Sequence, residues 1–317
     1  MSKIRISIIR FMKNLKIEIV TPVFNRRELT LQFLRSLSRV NREGLDIHII
    51  IVDDGSTDGT SEVVAENFPE VEIVKGDGNL WYTGGTNRGI ESALEKNPDY
   101  ILCVNNDSIF EENCIKNLVE CAEKNPRSVV GALLLLWDQP HRVFQVSPEW
   151  NTKLGGWHHW RKQTIWTVPQ KPWQVDIIVG NCVLYPAKVI REVGLMNEKK
   201  FAQYGDAEYT PRMRKRGWKL LIEPKAKIFC KPNDVPPKLS AMSMKKLVSV
   251  LFLEPHNVHS LRRRFNMNLH GAPSKIEGLV SLAVFFGRIA LGKNMEAISE
   301  QNEKPLSETF AHKIVGK

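Results

Sequence analysis

A chain of 317 residues with 42% hydrophobic and 8% aromatic content can bury a core in one large domain or two ordinary ones, which excludes a disordered chain. A net charge of +10 points towards phosphate-bearing partners: nucleic acid, an anionic membrane surface or a nucleotide. Five cysteines, an odd number with no Cys-x-x-Cys pair, argue against a disulfide scaffold and a zinc site and fit reduced, buried thiols in a cytosolic protein.

Met1 to Asn14 is basic, and Arg5 and Arg10 interrupt its apolar run, leaving it too short for a signal-peptide core. Lys16 to Val20 reads as a strand entering Thr21-Pro22-Val23-Phe24-Asn25. Asn25 and Glu28 have capping-box spacing, and Leu29, Phe33, Leu37 and Val40 follow as a helical stripe. Ile47 to Val52 is a β-branched run expected to be buried on both faces, as parallel sheets require. It ends in Asp53-Asp54-Gly55-Ser56-Thr57-Asp58, residue types that turn a chain and cap the next helix, which carries Val63, Val64 and Phe68. Val71 to Lys75 is a third strand. Gly76 to Gly89 then reads as a glycine-rich loop opening a helix through Ile90, Ala93 and Leu94. Tyr100 to Val104, a fourth strand, ends at Asn105-Asn106-Asp107; a helix with Ile115, Leu118, Val119 and Ala122 and the apolar strand Val129 to Trp137 follow. Strands alternating with helices predict a parallel, doubly wound half.

From Trp137 the rhythm breaks. Six tryptophans from Trp137 to Trp173, with prolines between them, read as irregular loops and antiparallel strands. Val175 to Val179 reads as a strand entering Gly180-Asn181, and a helix from Pro186 stops at Gly194. Tyr204-Gly205-Asp206-Ala207-Glu208 starts a helix ended by Gly217; Lys219 to Ile222 and Lys227 to Phe229 are short strands. Asn233 to Lys238, with three prolines, is the best boundary. Beyond it lie helical segments, of which Leu279 to Ile289 is apolar with Arg288 and Lys293 near its end, and a loose polar tail from Asn294. That apolar helix suits either lipid headgroups or packing on the main domain. No stretch reaches the ~18 uncharged apolar residues of a membrane span.

Thr21 to Asn25, Asp53-Asp54 and Asn105-Asn106-Asp107 reach one carboxyl edge of a parallel sheet, the place where such sheets bind ligands. Each alone is compatible with a capped turn; together they predict a nucleotide pocket. Asp53 is suited to a base or ribose, Asp107 to a hard divalent cation sharing substrate phosphates, and Arg88 to a phosphate. The Gly76 to Gly89 segment has neither a Gly-Lys-Ser/Thr sequence nor a Gly-x-Gly-x-x-Gly fingerprint after the first strand. His158-His159 has no metal spacing with a nearby acid.

Thr21-Pro22-x-x-Asn25, Val52-Asp53-Asp54-Gly55-Ser56-x-Asp58-Gly59-Thr60, Asn79-Leu80-Trp81-x-x-Gly84-Gly85-x-Asn87-x-Gly89 and Asn105-Asn106-Asp107 resemble, in order, the signatures of family-2 glycosyltransferases of the GT-A fold, in their rhamnosyltransferase-like branch. The likeness covers roughly residues 16 to 231. It implies an α/β nucleotide-binding mixed sheet flanked by helices over 16–235, with a nucleotide half at 16–137 and an acceptor half at 138–235. An N-terminal extension at 1–15 and a C-terminal helical region at 236–317 flank it. By the same resemblance, Thr21, Pro22, Asn25, Asp53 and Asp54 line the nucleoside pocket, Gly84, Asn87, Arg88, Asn105 and Asn106 lie at the donor, and Asp107 holds a Mg or Mn ion on the donor diphosphate. Asp206 takes the place of the catalytic base. Three departures stand out: one carboxylate instead of two at the cation site, Gly205 before the base in place of an acid, and Cys230-Lys231 where many relatives carry a metal-binding histidine. The Gln-x-x-Arg-Trp motif of processive synthases is missing, which implies one sugar per visit.

The implied chemistry is an inverting displacement from a nucleotide-diphosphate sugar to a saccharide or lipid-linked acceptor in cell-surface glycan synthesis. It implies a cytoplasmic protein, peripheral on the membrane if the basic surface meets anionic lipid. Asp206 also reads simply as an acid favoured by a helix N-terminus. The tryptophans read as core filling or as platforms for sugar rings. Rival readings are a non-catalytic nucleotide-sugar-binding scaffold and a nucleotidyltransferase, whose Gly-rich, Arg- and Lys-bearing N-terminal signature is missing here. No nucleic-acid-binding module is recognisable.

Overall fold

The structure, a computed structural model, describes residues 14–146, 149–158, 160, 162–231, 242–254, 257 and 259–291. The expectations for Met1 to Lys13, His159, the proline-rich boundary at 233–238 and the tail from Asn294 fall outside these residues.

Strands β1 (Leu15–Val23), β2 (Leu45–Asp53), β3 (Glu72–Lys75) and β4 (Tyr100–Cys103) alternate with helices α1 (Arg27–Leu37), α2 (Thr60–Asn67) and α3 (Trp81–Glu95). All four pair in parallel, in the spatial order β4-β1-β2-β3. The β-branched run in β2 explains why. Its first half alternates, with Asp46 and His48 exposed, whereas Ile49 to Asp53 is buried throughout. Ile49 and Ile51 pack on one face with Phe33 and Leu34 of α1; Ile50 and Val52 pack on the other with Ile90 of α3. A period of two thus feeds two cores through one strand.

Beyond β4 come β5 (Ser108–Phe110), α4 (Cys114–Lys124), β6 (Ser128–Leu136), β7 (Val143–Gln145), the hairpin β8 (Glu149–Asn151) and β9 (Gly156–His158), β10 (Trp173–Gln174) and β11 (Val183–Pro186). Helices α5 (Ala187–Val193) and α6 (Asp206–Lys215) lead to β12 (Lys219–Cys230). The ten-stranded sheet runs β10-β12-β6-β11-β4-β1-β2-β3, with β5 on β12 and β7 on β6. It is mixed, because β11 lies antiparallel between β4 and β6.

Several expectations are corrected. Gly76 to Gly89 is not a loop throughout: α3 begins at Trp81, and its glycines let the helix approach the sheet closely. A Cβ on Gly89 would collide with Val20 and stand 3.0 Å from Val52, and one on Gly85 would stand 2.8 Å from Pro22. Val175 to Val179 is not a strand. Its backbone is held instead by the Leu220 carbonyl and the Thr210 hydroxyl. Lys219 to Ile222 and Lys227 to Phe229 are parts of one strand, with an irregularity between Glu223 and Lys227. Asn25 forms no capping box; α1 starts at Arg27 without a side-chain cap. All five cysteines are free and buried.

A C-terminal unit follows: α7 (Met244–Val248), a π-turn (Ser249–Leu253), α8 (Leu261–Gly271) and α9 (Lys275–Ala290). Helix α8 packs on α6, the π-turn and α9.

Candidate active site

The register brings the polar strand ends to one edge. Val23 stands opposite Asp53, and Val20 opposite Cys103, so residues 21–25, 53–58 and 104–107 leave the sheet together. There Asp53, 1% exposed, accepts from the Ser56 amide at 2.9 Å and Lys75 Nζ at 3.2 Å, and from the Ser61 hydroxyl. Burial alone would raise its pKa, but these donors together hold it below the ordinary carboxylate value. Asp54 accepts from the Gly78 and Trp81 amides at 2.8 and 3.0 Å and so fixes the turn into α3. Asn25, at φ +49°, accepts from the Thr57 amide at 2.8 Å and donates its own amide to Ser56 Oγ. The three motifs are tied into one rim. Thr21 is fully buried at its base, its hydroxyl without a hydrogen-bond partner, and Pro22 lies against Gly85.

Asn105-Asn106-Asp107 closes the rim on the other side. Asn106 is buried and donates to Thr30 Oγ1 at 2.9 Å, which anchors the turn to α1. Asp107 Oδ2 pairs with Arg26 at 3.0 Å, whereas Asp107 Oδ1 and Asn105 Oδ1 are buried without a partner. Burial pushes the Asp107 pKa up and Arg26 opposes it. Two orphaned oxygens, one on a carboxylate, fit a hard divalent cation whose remaining ligands come from substrate phosphate and water. Among the described residues no three His, Cys, Asp or Glu side chains gather into a protein-only metal cluster. Cys230, near this turn, is buried, its pKa raised by that burial and by the Asp107 charge, and its sulfur accepts from Asn181 Nδ2 at 3.3 Å.

Asp206 is the first residue of α6. Its Oδ2 accepts from the Gly180 amide at 2.9 Å, and the Gly180 carbonyl accepts from Tyr82 Oη at 2.8 Å. Asn181, the next residue, accepts from Ser108 Oγ at 3.2 Å, and the Lys231 amide donates to the Asp107 carbonyl at 3.2 Å. A short bonded path therefore joins Asp206 to Asp107. Burial pushes the Asp206 pKa up, opposed by the Gly180 and Ala207 amides and by the charge of Arg263. Gly205 has no room for the usual acid, because a Cβ there would stand 2.8 Å from Thr83 Cγ2 and 2.9 Å from Met196 Sδ.

Three residues expected at the donor are placed otherwise. Gly84 faces Leu80 and Glu198 inside the packing of α3. Asn87 is buried and exchanges hydrogen bonds with the Met196 carbonyl and amide, at 2.9 and 3.0 Å. Arg88 is exposed and sits 3.8 Å from Glu91. Sequence reasoning missed Lys75, Tyr82, Gly180 and, above all, Arg263. The Arg263 guanidinium, on α8, stacks 3.1 Å from the Tyr204 ring centroid, with Nε and Nη1 buried and unpartnered. The only signal was its place in the basic run Arg262-Arg263-Arg264. The tryptophans mostly pack on one another: Trp150 edge-on to Trp157, Trp160 stacked on Trp173.

Residues 18–194 match the model of glycosyl transferase family 2. The chain is similar to the N-acetylglucosaminyl-diphospho-decaprenol L-rhamnosyltransferase of Mycobacterium tuberculosis, 26% identical over 221 residues, which cover 62% of this chain and 70% of that protein. It is also similar to the dTDP-rhamnosyl transferase RfbF of Shigella flexneri, 23% identical over 62% of this chain and 64% of that one. Two solved structures share the fold. GalNAc-T7 with UDP, GalNAc and Mn2+ has a TM-score of 0.57 at 13% identity, over 90% of this chain and 58% of that one. The mannosyltransferase PcManGT of Pyrobaculum calidifontis with GDP-Man and Mn2+ has a TM-score of 0.50 at 12% identity, over 96% and 86%.

Proposed function

The chain belongs to glycosyl transferase family 2, and from that premise we propose that it moves one deoxyhexose, rhamnose in kind, from a nucleotide-diphosphate donor to a lipid-linked saccharide, with Asp206 as base. The names of its two rhamnosyltransferase relatives support the sugar, and that of the mycobacterial one supports the acceptor. The observation that carries the mechanism is the placement of Asp206, joined through Gly180-Asn181 and Ser108 to the Asn105-Asn106-Asp107 turn.

In this reading the acceptor hydroxyl gives its proton to the Asp206 carboxylate as its oxygen attacks the anomeric carbon. The bond from that carbon to the donor diphosphate breaks, the electron pair leaves with the nucleoside diphosphate, and the configuration inverts. The Gly180 amide holds Asp206 Oδ2 and so fixes the carboxylate that receives the proton. The charge of Arg263 favours the ionised form of the base against the burial that raises its pKa. Asp53, Asp54 and Asn25 act by fixing the rim against which the nucleoside lies, with Thr21 buried at its base. A divalent cation, Mg or Mn, would be held by Asp107 with Asn105 and would supply charge against the departing diphosphate. Most of the rate then comes from alignment of acceptor oxygen, anomeric carbon and leaving oxygen.

A thermal-shift panel of nucleotide-sugars, each with and without Mn or Mg, tests the donor half of this proposal. One donor should raise the melting point, and more so with the cation, since binding to the folded state alone stabilises it by mass action. A panel in which no nucleotide-sugar moves the melting point, with or without cation, contradicts it.

A further inference from the structure

Helix α9 is built inside out. Its packing side carries Gly278, whose absent Cβ would collide with the Asn268 carbonyl, the fully buried Ser281, and Phe285, which lies against Gly155 and under Arg264. Its outward side carries Ile276, Leu279, Val280 and Phe286, exposed by 75, 53, 47 and 42%. The spacing of 276, 279, 280, 283 and 286–287 is a single helical stripe. A surface helix of a soluble domain normally does the reverse, burying its large apolar side chains.

The same holds for α7 and the π-turn. Met244, Val248 and Phe252 recur every fourth residue along α7 and the π-turn, exposed by 74, 47 and 66%, and Leu253 beside them by 72%. Of thirteen large exposed apolar side chains among the described residues, ten lie between 244 and 291, although that stretch is a small fraction of the chain. Such concentration is a docking signal where scattered exposure is not. The stretch also holds seven Lys or Arg against two Glu, and Lys245, Lys246, Arg262 and Lys275 are exposed around the apolar stripes. No helix among the described residues is long and apolar enough to cross a membrane.

We propose that the outward face of α7, the π-turn and α9 docks on an anionic lipid bilayer, lying in the headgroup plane with its apolar stripes in the acyl boundary and its lysines among the lipid phosphates. Apolar rings bounded by cations match such a surface in both chemistry and charge. An apolar protein groove would explain the stripes but not the basic rim. Because α8 links this face to Tyr204 through Arg263, docking sets the base at the bilayer, where a lipid-linked acceptor presents its sugar. Only that last consequence rests on the proposed acceptor; the docking itself does not.

Flotation of the purified chain with vesicles is the test. Vesicles of phosphatidylcholine with roughly a third phosphatidylglycerol should carry the chain to the top of a gradient at low salt, and neutral phosphatidylcholine vesicles should carry far less. I276E/L279E, at two exposed positions, should keep the melting point and the nucleotide-sugar shift yet stop floating. K245Q/K275Q should lower partition roughly 25-fold, about fivefold for each lysine near the surface. The proposal is overturned if the wild type stays at the bottom with anionic vesicles, as it would were the face covered by its own chain. It is equally overturned if I276E/L279E floats undiminished, or if ultracentrifugation shows a wild-type dimer that this variant converts to monomer without change in flotation. A failed donor panel combined with successful flotation would leave this face standing and remove only the catalytic reading.

Discussion

Asp206 is pulled in two directions. Burial favours its neutral form; the Gly180 and Ala207 amides and the Arg263 charge favour the carboxylate, and burial wins, so its pKa is raised. As a base it must be ionised, so kcat/KM should rise with pH through that raised value. R263M takes away a cation that lowers the pKa, so the acidic limb should move to higher pH, and R263K should largely restore it. A limb that stays put in R263M would reduce Arg263 to a packing residue on Tyr204. The contrast with Asp53 is instructive. That carboxylate is buried too, but three donors surround it, and its pKa falls. Its pairing with Lys75 and Ser61 was invisible in sequence, because the acidic turn reads alike whether its acids face a ligand or brace a loop. Arg263 was equally invisible: nothing local distinguishes it from Arg262, which is exposed.

Among the elements, α3 shows how a correct motif can carry an incorrect structural expectation. The glycines of residues 76–89 look like a flexible phosphate cradle. In the fold, Gly85 and Gly89 instead press a helix onto β1 and β2, and Asn87 fastens it to Met196. G89A should destabilise the chain by about 1–3 kcal/mol in urea denaturation, because the new methyl meets β-branched side chains in a close-packed core. A variant as stable as the wild type would show that the helix has slack the packing does not reveal. The parallel strands were legible because β-branched runs bounded by turn residues have few alternatives. Strand β11 was not, since a short apolar segment gives no clue that it inserts antiparallel between β4 and β6. The segment 175–179, strand-like in sequence, is held by the Leu220 carbonyl of β12 and the Thr210 hydroxyl of α6, which a local reading cannot foresee.

At the scale of the molecule, one sheet spanning Leu15 to Cys230 joins the nucleotide rim to the segment that grips the base. The family match ends at residue 194, so Asp206 and the C-terminal helices lie beyond it. Those helices close over the base through α8 and turn an apolar, basic face outwards through α9. The sequence displayed that charge and that apolar helix, yet left open whether the helix lies on lipid or on the catalytic domain. Gly278, Ser281 and Phe285 face the protein, whereas Ile276, Leu279, Val280 and Phe286 face away, a division that packing alone discloses.

The most direct test is D206N, assayed for donor affinity and for sugar transfer on the same preparation. Asparagine keeps an oxygen to accept from the Gly180 amide, so the fold and the nucleotide-sugar affinity should persist. The proton acceptor is gone, so kcat should fall by roughly 100- to 10,000-fold. Transfer at the wild-type rate in D206N would contradict the assignment outright.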